Sequence, residues 1–232
     1  MAEDLFREVD DEMKAERLRV MARRYAGVAA GLVLVVLAGA GAWSWRASQH
    51  KAAAVAATGQ YLTALRQTDN LPVYQPGPPV TPLSGNAQTG LQTLTRLAST
   101  GPEGVAVLAR MQEAAVQATR GDLKAALAAW DAVQGNEKAD PAMRDLAMLL
   151  WCQQQIDTGD IAVLRSRLSV LVGKGKTWYG LATEALAMLD VREGHLEDAR
   201  KKFAALVMAA DVPPGVRNRA QDMTQALDPS AG

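Results

Sequence analysis

The chain has 232 residues and a formal net charge of zero, with 25 basic and 25 acidic side chains. This balance gives no electrostatic reason to expect a nucleic-acid partner, because phosphate contacts need clustered Lys and Arg. One Cys excludes an internal disulfide framework, and two widely separated His disfavour a His-based metal site. The 43 Ala favour helix, since Ala has the highest helix propensity.

Residues 1–24 hold seven acidic and six basic side chains, and we predict that they form a cytoplasmic N-terminal segment. A thin apolar stripe at helical spacing runs through Phe6, Val9, Met13 and Val20. A solvated helix that continues toward the next segment is the simplest interpretation. A short docking or targeting helix is the alternative.

Residues 25–45 contain no charged side chain over a run of 21 residues. At about 1.5 Å per residue, a helix of this length spans roughly 31 Å, which is about one hydrocarbon core. Tyr25 lies at one boundary and Trp43 and Trp45 lie at the other, as expected of rings at the headgroup level. We therefore predict a transmembrane helix in contact with the lipid bilayer, with a buried helix of a soluble core as the alternative.

Basic side chains flank this segment unequally, with five in residues 10–24 and two in residues 46–60. The more basic flank of a membrane helix usually lies on the cytoplasmic side. The bias predicts a single-pass protein of the cell inner membrane, with a cytoplasmic N-terminus and a periplasmic C-terminal domain.

Two details of the membrane segment admit alternatives. The apolar run is longer than a typical signal-peptide core, which favours an uncleaved signal anchor. Cleavage after the small residues 40–42, leaving Trp43 as the mature N-terminus, is the competing interpretation. Gly27 and Gly31 have the spacing that allows weak self-association of two membrane helices, or they simply dilute an apolar run.

The region after the membrane segment begins with a helix and a loop. Residues 46–70 are predicted to hold the first helix, with helical periodicity from Lys51 to Gln67. Residues 71–86 contain five Pro, and they are predicted to form a loop because Pro lacks the backbone donor that a helix interior needs. A connector is the simplest role of this loop, and a PxxP ligand is the alternative.

Residues 87–232 are predicted to form helical repeats that end in a capping helix from Val216 to Leu227. Three segments align on a glycine turn, at Gly121, Gly159 and Gly194. Each has apolar side chains 2, 5, 9 and 12 positions after the turn, on one helix face, and a small side chain seven positions before it. These residues are Leu123, Ala126, Trp130 and Val133 with Ala114; Ile161, Leu164, Leu168 and Leu171 with Cys152; and Leu196, Ala199, Phe203 and Leu206 with Ala187.

A helix-turn-helix unit of this kind cannot bury its apolar face alone, so stacked units are expected to share a continuous core. The turn glycines are predicted to adopt the left-handed conformation that ends a helix. Asp122 and Asp160 are predicted to cap the following helices, and His195 is predicted to be a turn residue rather than a ligand. Pro141 and the pair 213–214 are predicted to begin later helices.

We find no catalytic, cofactor-binding or metal-binding motif in the sequence, and we predict that the protein is not an enzyme. Cys152 lies in an apolar helical stretch and is predicted to be a buried structural thiol rather than a nucleophile. Residues 173–176, Gly-Lys-Gly-Lys, lack the preceding strand of a phosphate loop and are predicted to form a turn. Trp130, Trp151 and Trp178 are predicted to pack in the core, with the lining of a groove as the alternative. An enzyme with an unrecognised site is the competing class.

The repeat spacings of 38 and 35 residues, with small residues around a glycine turn, resemble a divergent tetratricopeptide repeat. A charged N-terminus, one anchor ending in aromatic residues and a translocated helical-repeat domain resemble the ancillary Sec translocon subunit family. Local similarity to that family is found at Tyr61 with Ala64, at Trp178, at Glu184-Ala185-Leu186, at Gly194 and at Ala199-Arg200.

The resemblance implies an all-α protein, in which one transmembrane helix precedes a tetratricopeptide-like α-solenoid. It implies a protein–protein interaction subunit that associates with the Sec translocon and links emerging proteins to periplasmic chaperones. The expected partners are Sec translocon subunits and a membrane-anchored, prolyl-isomerase-like chaperone, without nucleic acid and without cofactors. A scaffold for another envelope pathway, such as cytochrome maturation or outer-membrane protein assembly, is the alternative.

Overall fold

The computed structural model describes residues 43, 45–46, 48–49, 51–69, 82–83, 85–173 and 175–228. The predictions for segment 1–24, for nearly all of segment 25–45 and for most of the Pro-rich loop lie outside these residues. The chain divides into two compact units, Met1–Ala53 and Ala54–Gly232. Within the described residues, no helix has both the length and the apolar character that crossing a membrane requires.

The regular structure of the described residues is entirely α-helical, which confirms the predicted all-α class. The first helix after the predicted membrane segment, α1, covers residues 51–68 and ends one residue beyond the predicted Gln67. The remaining helices are α2 (Gly85–Thr100), α3 (Glu103–Thr119), α4 (Leu123–Gln134), α5 (Pro141–Gln153), α6 (Ile161–Ser169), α7 (Tyr179–Arg192), α8 (Leu196–Met208) and α9 (Pro214–Ala226).

Helices that follow one another in the chain are also neighbours in space from α2 to α9. In addition, α7 contacts both α5 and α9, so these three helices lie side by side in one layer. This pattern of near-neighbour contacts is that of stacked helical hairpins, in which each unit packs on the next.

Two of the three predicted turns end with a left-handed glycine. Gly121 has φ +88° and Gly194 has φ +80°. In both turns the glycine N–H bonds back to the carbonyl three residues earlier, Ala118 or Val191. The next residue donates to the carbonyl five positions earlier, at 2.8 Å, which completes the hydrogen-bond pattern of a Schellman motif.

The prediction of a left-handed conformation is wrong at Gly159, which does not have a positive φ. Its N–H bonds to the Gln155 carbonyl at 2.7 Å, in an irregular turn between α5 and α6. A Cβ atom at this position would lie 2.9 Å from both Cβ and the carbonyl oxygen of Gln155. Glycine is therefore required here by a close approach of atoms and not by backbone conformation.

The predicted helix starts are confirmed. The Asp122 carboxylate accepts a hydrogen bond from the Ala125 N–H at 3.2 Å, and Asp160 accepts one from Val163 at 3.1 Å. His195 occupies the matching position before α8 without a capping hydrogen bond from its side chain, as expected of a turn residue. The prolines at the starts of α5 and α9 lie at the first helical positions.

The predicted core face is correct at three of its four positions. The residues 5, 9 and 12 positions after each turn, and the small residues seven positions before it, are all at most 2 % exposed. The prediction of burial is wrong at the first apolar position, two residues after each turn. Leu196 is 46 % exposed, and Leu123 and Ile161 are only half-buried. Each of these three begins its helix, so it lies at the edge of its hairpin, where the neighbouring helices provide less cover.

Among the described residues, the core of the second unit consists of four apolar clusters, each shared by three successive helices. They join α1 to α3, α3 to α5, α5 to α7 and α7 to α9. The helices α3, α5 and α7 each contribute to two clusters, so the core is continuous from hairpin to hairpin. This sharing is the physical reason that a single hairpin would not be stable alone.

Candidate protein-binding groove

A groove of about 550 Å³ lies across the layer formed by α5, α7 and α9. Its size falls within the range of pockets that bind small ligands or short peptide segments. The lining comes from α5 and the turn after it, from the middle of α7 and from α9. The lining residues are Gln153, Ile156, Glu184, Ala185, Met188, Arg219, Asp222 and Met223.

Helical spacing explains why these side chains meet. On α7, Glu184 and Met188 are four residues apart, and on α9 Arg219 and Met223 are also four apart, so each pair lies on one helix face. The small side chain of Ala185, only 5 % exposed, lets the floor of the groove lie close to the α7 backbone. The groove therefore has a shallow floor on α7 and walls from α5 and α9.

A bidentate ion pair joins two sides of the groove. The Nε and Nη2 atoms of Arg219 each donate to a carboxylate oxygen of Glu184 at 2.7 Å. The hydrogen bond to Glu184 raises the pKa of Arg219 above its ordinary value. The opposite charges of the pair offset each other within the lining, and the fork geometry fixes α9 relative to α7.

The third charged group of the groove is not compensated in the same way. Asp222 is exposed on α9 and forms no ion pair with any side chain that the structure describes. Asp222 and Met223 both line the groove, so a carboxylate lies near the apolar part of the lining. The groove consequently carries a net charge of −1 from its three ionisable side chains.

The apolar part of the lining is adaptable. Met188 and Met223 are half-buried, and Ile156 is half-buried beside them. Methionine side chains are unbranched and polarisable, and they fit ligands of different shape. The lining contains no Ser, Cys, His or Lys. The lining therefore offers a ligand apolar contacts and one carboxylate that has no ion-pair partner among the described side chains.

Cys152 lies away from the groove lining, in the cluster that joins α5 to α7, and it is fully buried. Burial raises the pKa of its thiol from 9.0 to about 11, with a smaller opposing effect from Arg167. The thiol is therefore protonated at neutral pH and is a poor nucleophile. The predicted burial of Cys152 is confirmed.

The three tryptophans predicted to pack in the core are Trp130, Trp151 and Trp178. They pack against other helices or position them, and none of the three contributes to the groove lining. Trp130 is 2 % exposed, as predicted for a core residue. Trp151 is half-buried, donates from Nε1 to Asp131 at 3.1 Å and lies 3.8 Å beneath the Arg167 guanidinium. Trp178 donates from Nε1 to the Ala142 carbonyl at 2.8 Å and so ties the start of α7 to α5.

The Gly-Lys-Gly-Lys stretch lies in the turn between α6 and α7, as predicted. Gly175 has a left-handed φ of +80°, and Lys176 Nζ is 3.4 Å from the Asp145 carboxylate. Lys174 lies outside the described residues. The described part of the stretch therefore serves a connection between hairpins.

The carboxylates in a cluster of potential metal ligands already form ion pairs with cationic side chains of the protein. Ligand atoms of Asp190, Glu193 and His195 lie within 4.8 Å of one another. However, Arg165 donates to both carboxylates, and Lys202 donates to the buried Asp190. The arrangement is a salt-bridge network that links α6, α7 and α8, and its protein cations take the place a metal ion would need.

Sequence reasoning missed the residues that line the groove. Met188 and Met223 are 35 residues apart, and so are Glu184 and Arg219. This spacing equals that between the turn glycines Gly159 and Gly194. Extending the repeat spacing to the helix faces that point away from the core would have placed these side chains at equivalent positions of adjacent units.

Comparisons of the chain with protein-family models, with curated proteins and with solved structures find no match.

Proposed function

We propose that the chain is a tetratricopeptide-like interaction subunit whose groove across α5, α7 and α9 binds other proteins. The observation that supports this function is the groove itself, with two methionines at repeat spacing and the small side chain of Ala185 at its floor. Stacked hairpins commonly bind partners on the surface that their aligned helices form. An apolar groove of this kind can accept the apolar face of a peptide segment.

We further propose that residues 25–45 anchor this domain in the inner membrane and place it in the periplasm. Support comes from the charge-free run of 21 residues and from the excess of basic side chains on its N-terminal flank. Association with the Sec translocon, and transfer of emerging proteins to periplasmic chaperones, rest on the resemblance to the ancillary translocon subunit family.

Photocrosslinking from the groove tests the identity of the partner. A photoreactive side chain would replace Met188 in the groove or, as a matched control, Met208, which is 84 % exposed on α8 and outside the lining. Crosslinked proteins from native membranes would be identified by mass spectrometry. We expect Sec channel subunits from position 188 and few or none from position 208.

Other outcomes would redirect the proposal. Recovery of only outer-membrane assembly or cytochrome-maturation factors from position 188 would support the alternative, a scaffold for another envelope pathway. Equal recovery of the same proteins from both positions would show that the groove is not the binding site.

The proposed topology has a separate test. A reporter enzyme that is active only in the periplasm would be fused after Gly232, with a second reporter that is active only in the cytoplasm as the control. We expect activity from the periplasmic reporter alone. Activity from the cytoplasmic reporter alone would reverse the orientation that the flanking charges predict.

A further inference from the structure

We infer that the groove selects polypeptide segments in which apolar side chains flank one Lys or Arg, with Asp222 as the group that contacts the cation. The inference rests on the proposed function of the groove as a protein-binding site. It adds the chemical class of the segment and the residue that determines specificity.

The charges of the lining favour a cation. Glu184 already accepts from Nε and Nη2 of Arg219, at 2.7 Å each, and offsets its charge, so an anionic segment gains little from this guanidinium. Asp222 has no such partner among the described side chains and is available to a ligand. A positive side chain is attracted by the net negative lining, whereas a negative one is repelled by it.

The position of Asp222 adds a requirement for apolar neighbours. An apolar segment that packs on Met188 and Met223 would exclude water from the lining beside the Asp222 carboxylate. Removing water from an unpaired carboxylate is unfavourable unless a cation or donor replaces it. A Lys or Arg within the bound segment provides that replacement, so apolar contact and charge contact reinforce each other.

Binding of three matched peptides tests the inference. Short fluorescent peptides would share one apolar background and carry Lys, Gln or Glu at the central position. Binding to the full-length chain in detergent micelles would be followed by fluorescence polarisation. We expect the Lys peptide to bind roughly three- to fivefold more tightly than the Gln peptide, with the Glu peptide weakest, as for an exposed charge pair. The difference in affinity between the Lys and Gln peptides should become smaller at high salt.

Two variants assign the selectivity to one residue. Asp222→Asn should remove the preference for Lys over Gln, so that the two peptides bind with equal affinity. Asp211→Asn makes the same change in net charge in the turn before α9, outside the lining, and should retain the full preference. Loss of the preference in both variants would mean that overall charge, and not Asp222, selects the peptide.

The pattern of peptide binding distinguishes a failure of cation selection from a failure of the groove as a protein-binding site. If the three peptides bind equally well to the unaltered chain, selection of a cation is wrong while the groove remains a protein-binding site. Absence of binding by all three peptides would overturn both. Binding that Met223→Glu leaves unchanged would place the site elsewhere on the molecule.

Discussion

Gly121, Gly159 and Gly194 occupy the same place in successive units, but they are required for two different physical reasons. Gly121 and Gly194 adopt a left-handed conformation that strains residues with a Cβ atom. Gly159 is outside the left-handed region and instead lies against Gln155, with Leu164 Cδ1 also 3.2 Å from the position of a Cβ atom. A single substitution can separate steric crowding from backbone strain at this turn.

We predict that Gly159→Ala lowers the free energy of unfolding by about 1–3 kcal/mol, because the added methyl group would force Gln155 to move. Gly104→Ala is the control, since a Cβ atom there meets nothing within 4 Å and α3 favours alanine. The control should raise stability by roughly 0.4–1 kcal/mol. Chemical denaturation followed by circular dichroism measures both, and an equal effect of the two substitutions would contradict the steric explanation.

The buried thiol of Cys152 predicts a dependence of stability on pH. Its pKa is raised to about 11 in the folded protein, from 9.0 for an exposed thiol. Between these values the unfolded chain loses the proton while the folded chain retains it, so the unfolded state becomes favoured as pH rises. The stabilising contribution is complete below pH 9 and is lost by pH 11, a change of at most about 3 kcal/mol.

Comparison with Cys152→Ala isolates this effect from the other groups that titrate at high pH. The difference in free energy of unfolding between the two proteins should be constant below pH 9 and should narrow toward pH 11. A thiol reagent at neutral pH should modify Cys152 only after unfolding. Rapid modification of the folded protein would show that the thiol is accessible.

At the scale of the helix, α8 shows that a side chain can satisfy the apolar spacing without being buried. Phe203 is 0 % exposed and joins α8 to α7 and α9, whereas Leu196 follows the same pattern and is 46 % exposed. The difference arises because Leu196 begins the helix. Apolar spacing identifies a helix face, and burial additionally requires a neighbouring element along the whole length of that face.

We predict that Phe203→Ala lowers the free energy of unfolding by about 3–5 kcal/mol, since it leaves a cavity among α7, α8 and α9. Leu196→Ala removes a side chain of the same predicted face and should cost less than about 1 kcal/mol, because that side chain already contacts water. Thermal denaturation of the two variants provides the comparison. A similar loss in both would mean that the first turn of α8 is better covered than its exposure indicates.

At the scale of the whole molecule, the sharing of clusters between adjacent hairpins limits how far a local change spreads. The cluster that contains Phe203 involves α7, α8 and α9, and the cluster of α1, α2 and α3 has no residue in common with it. In stacked architectures stability is approximately the sum of the units and their interfaces.

We therefore expect that Phe203→Ala accelerates amide hydrogen exchange in α7, α8 and α9 and leaves α2 and α3 nearly unchanged. Hydrogen-exchange mass spectrometry of the full-length protein measures this helix by helix. The reciprocal variant Leu94→Ala, in the cluster of α1, α2 and α3, should give the opposite pattern. Uniform acceleration over all helices would indicate a single cooperative unit.

Sequence patterns were sufficient to predict most local features of the structure. Helix positions, the caps at Asp122 and Asp160, the turn at Gly194 and the burial of Cys152 follow from spacing over a few residues. The conformation of Gly159 and the exposure of Leu196 could not be predicted in this way. Both depend on how closely a neighbouring segment approaches, and that distance is set by tertiary packing.

The sequence by itself determined a chain of helical hairpins with a repeat near 35 residues, because helix periodicity and turn chemistry act between residues close in the chain. Only the tertiary structure decided that Met188 and Met223 line one groove, that Arg219 is occupied by Glu184 and that Asp222 is left without an ion-pair partner among the described side chains. These relations join α5, α7 and α9, whose positions depend on the packing of the helices between them. The charge available to a ligand is therefore a property of the stacked hairpins and not of any one segment.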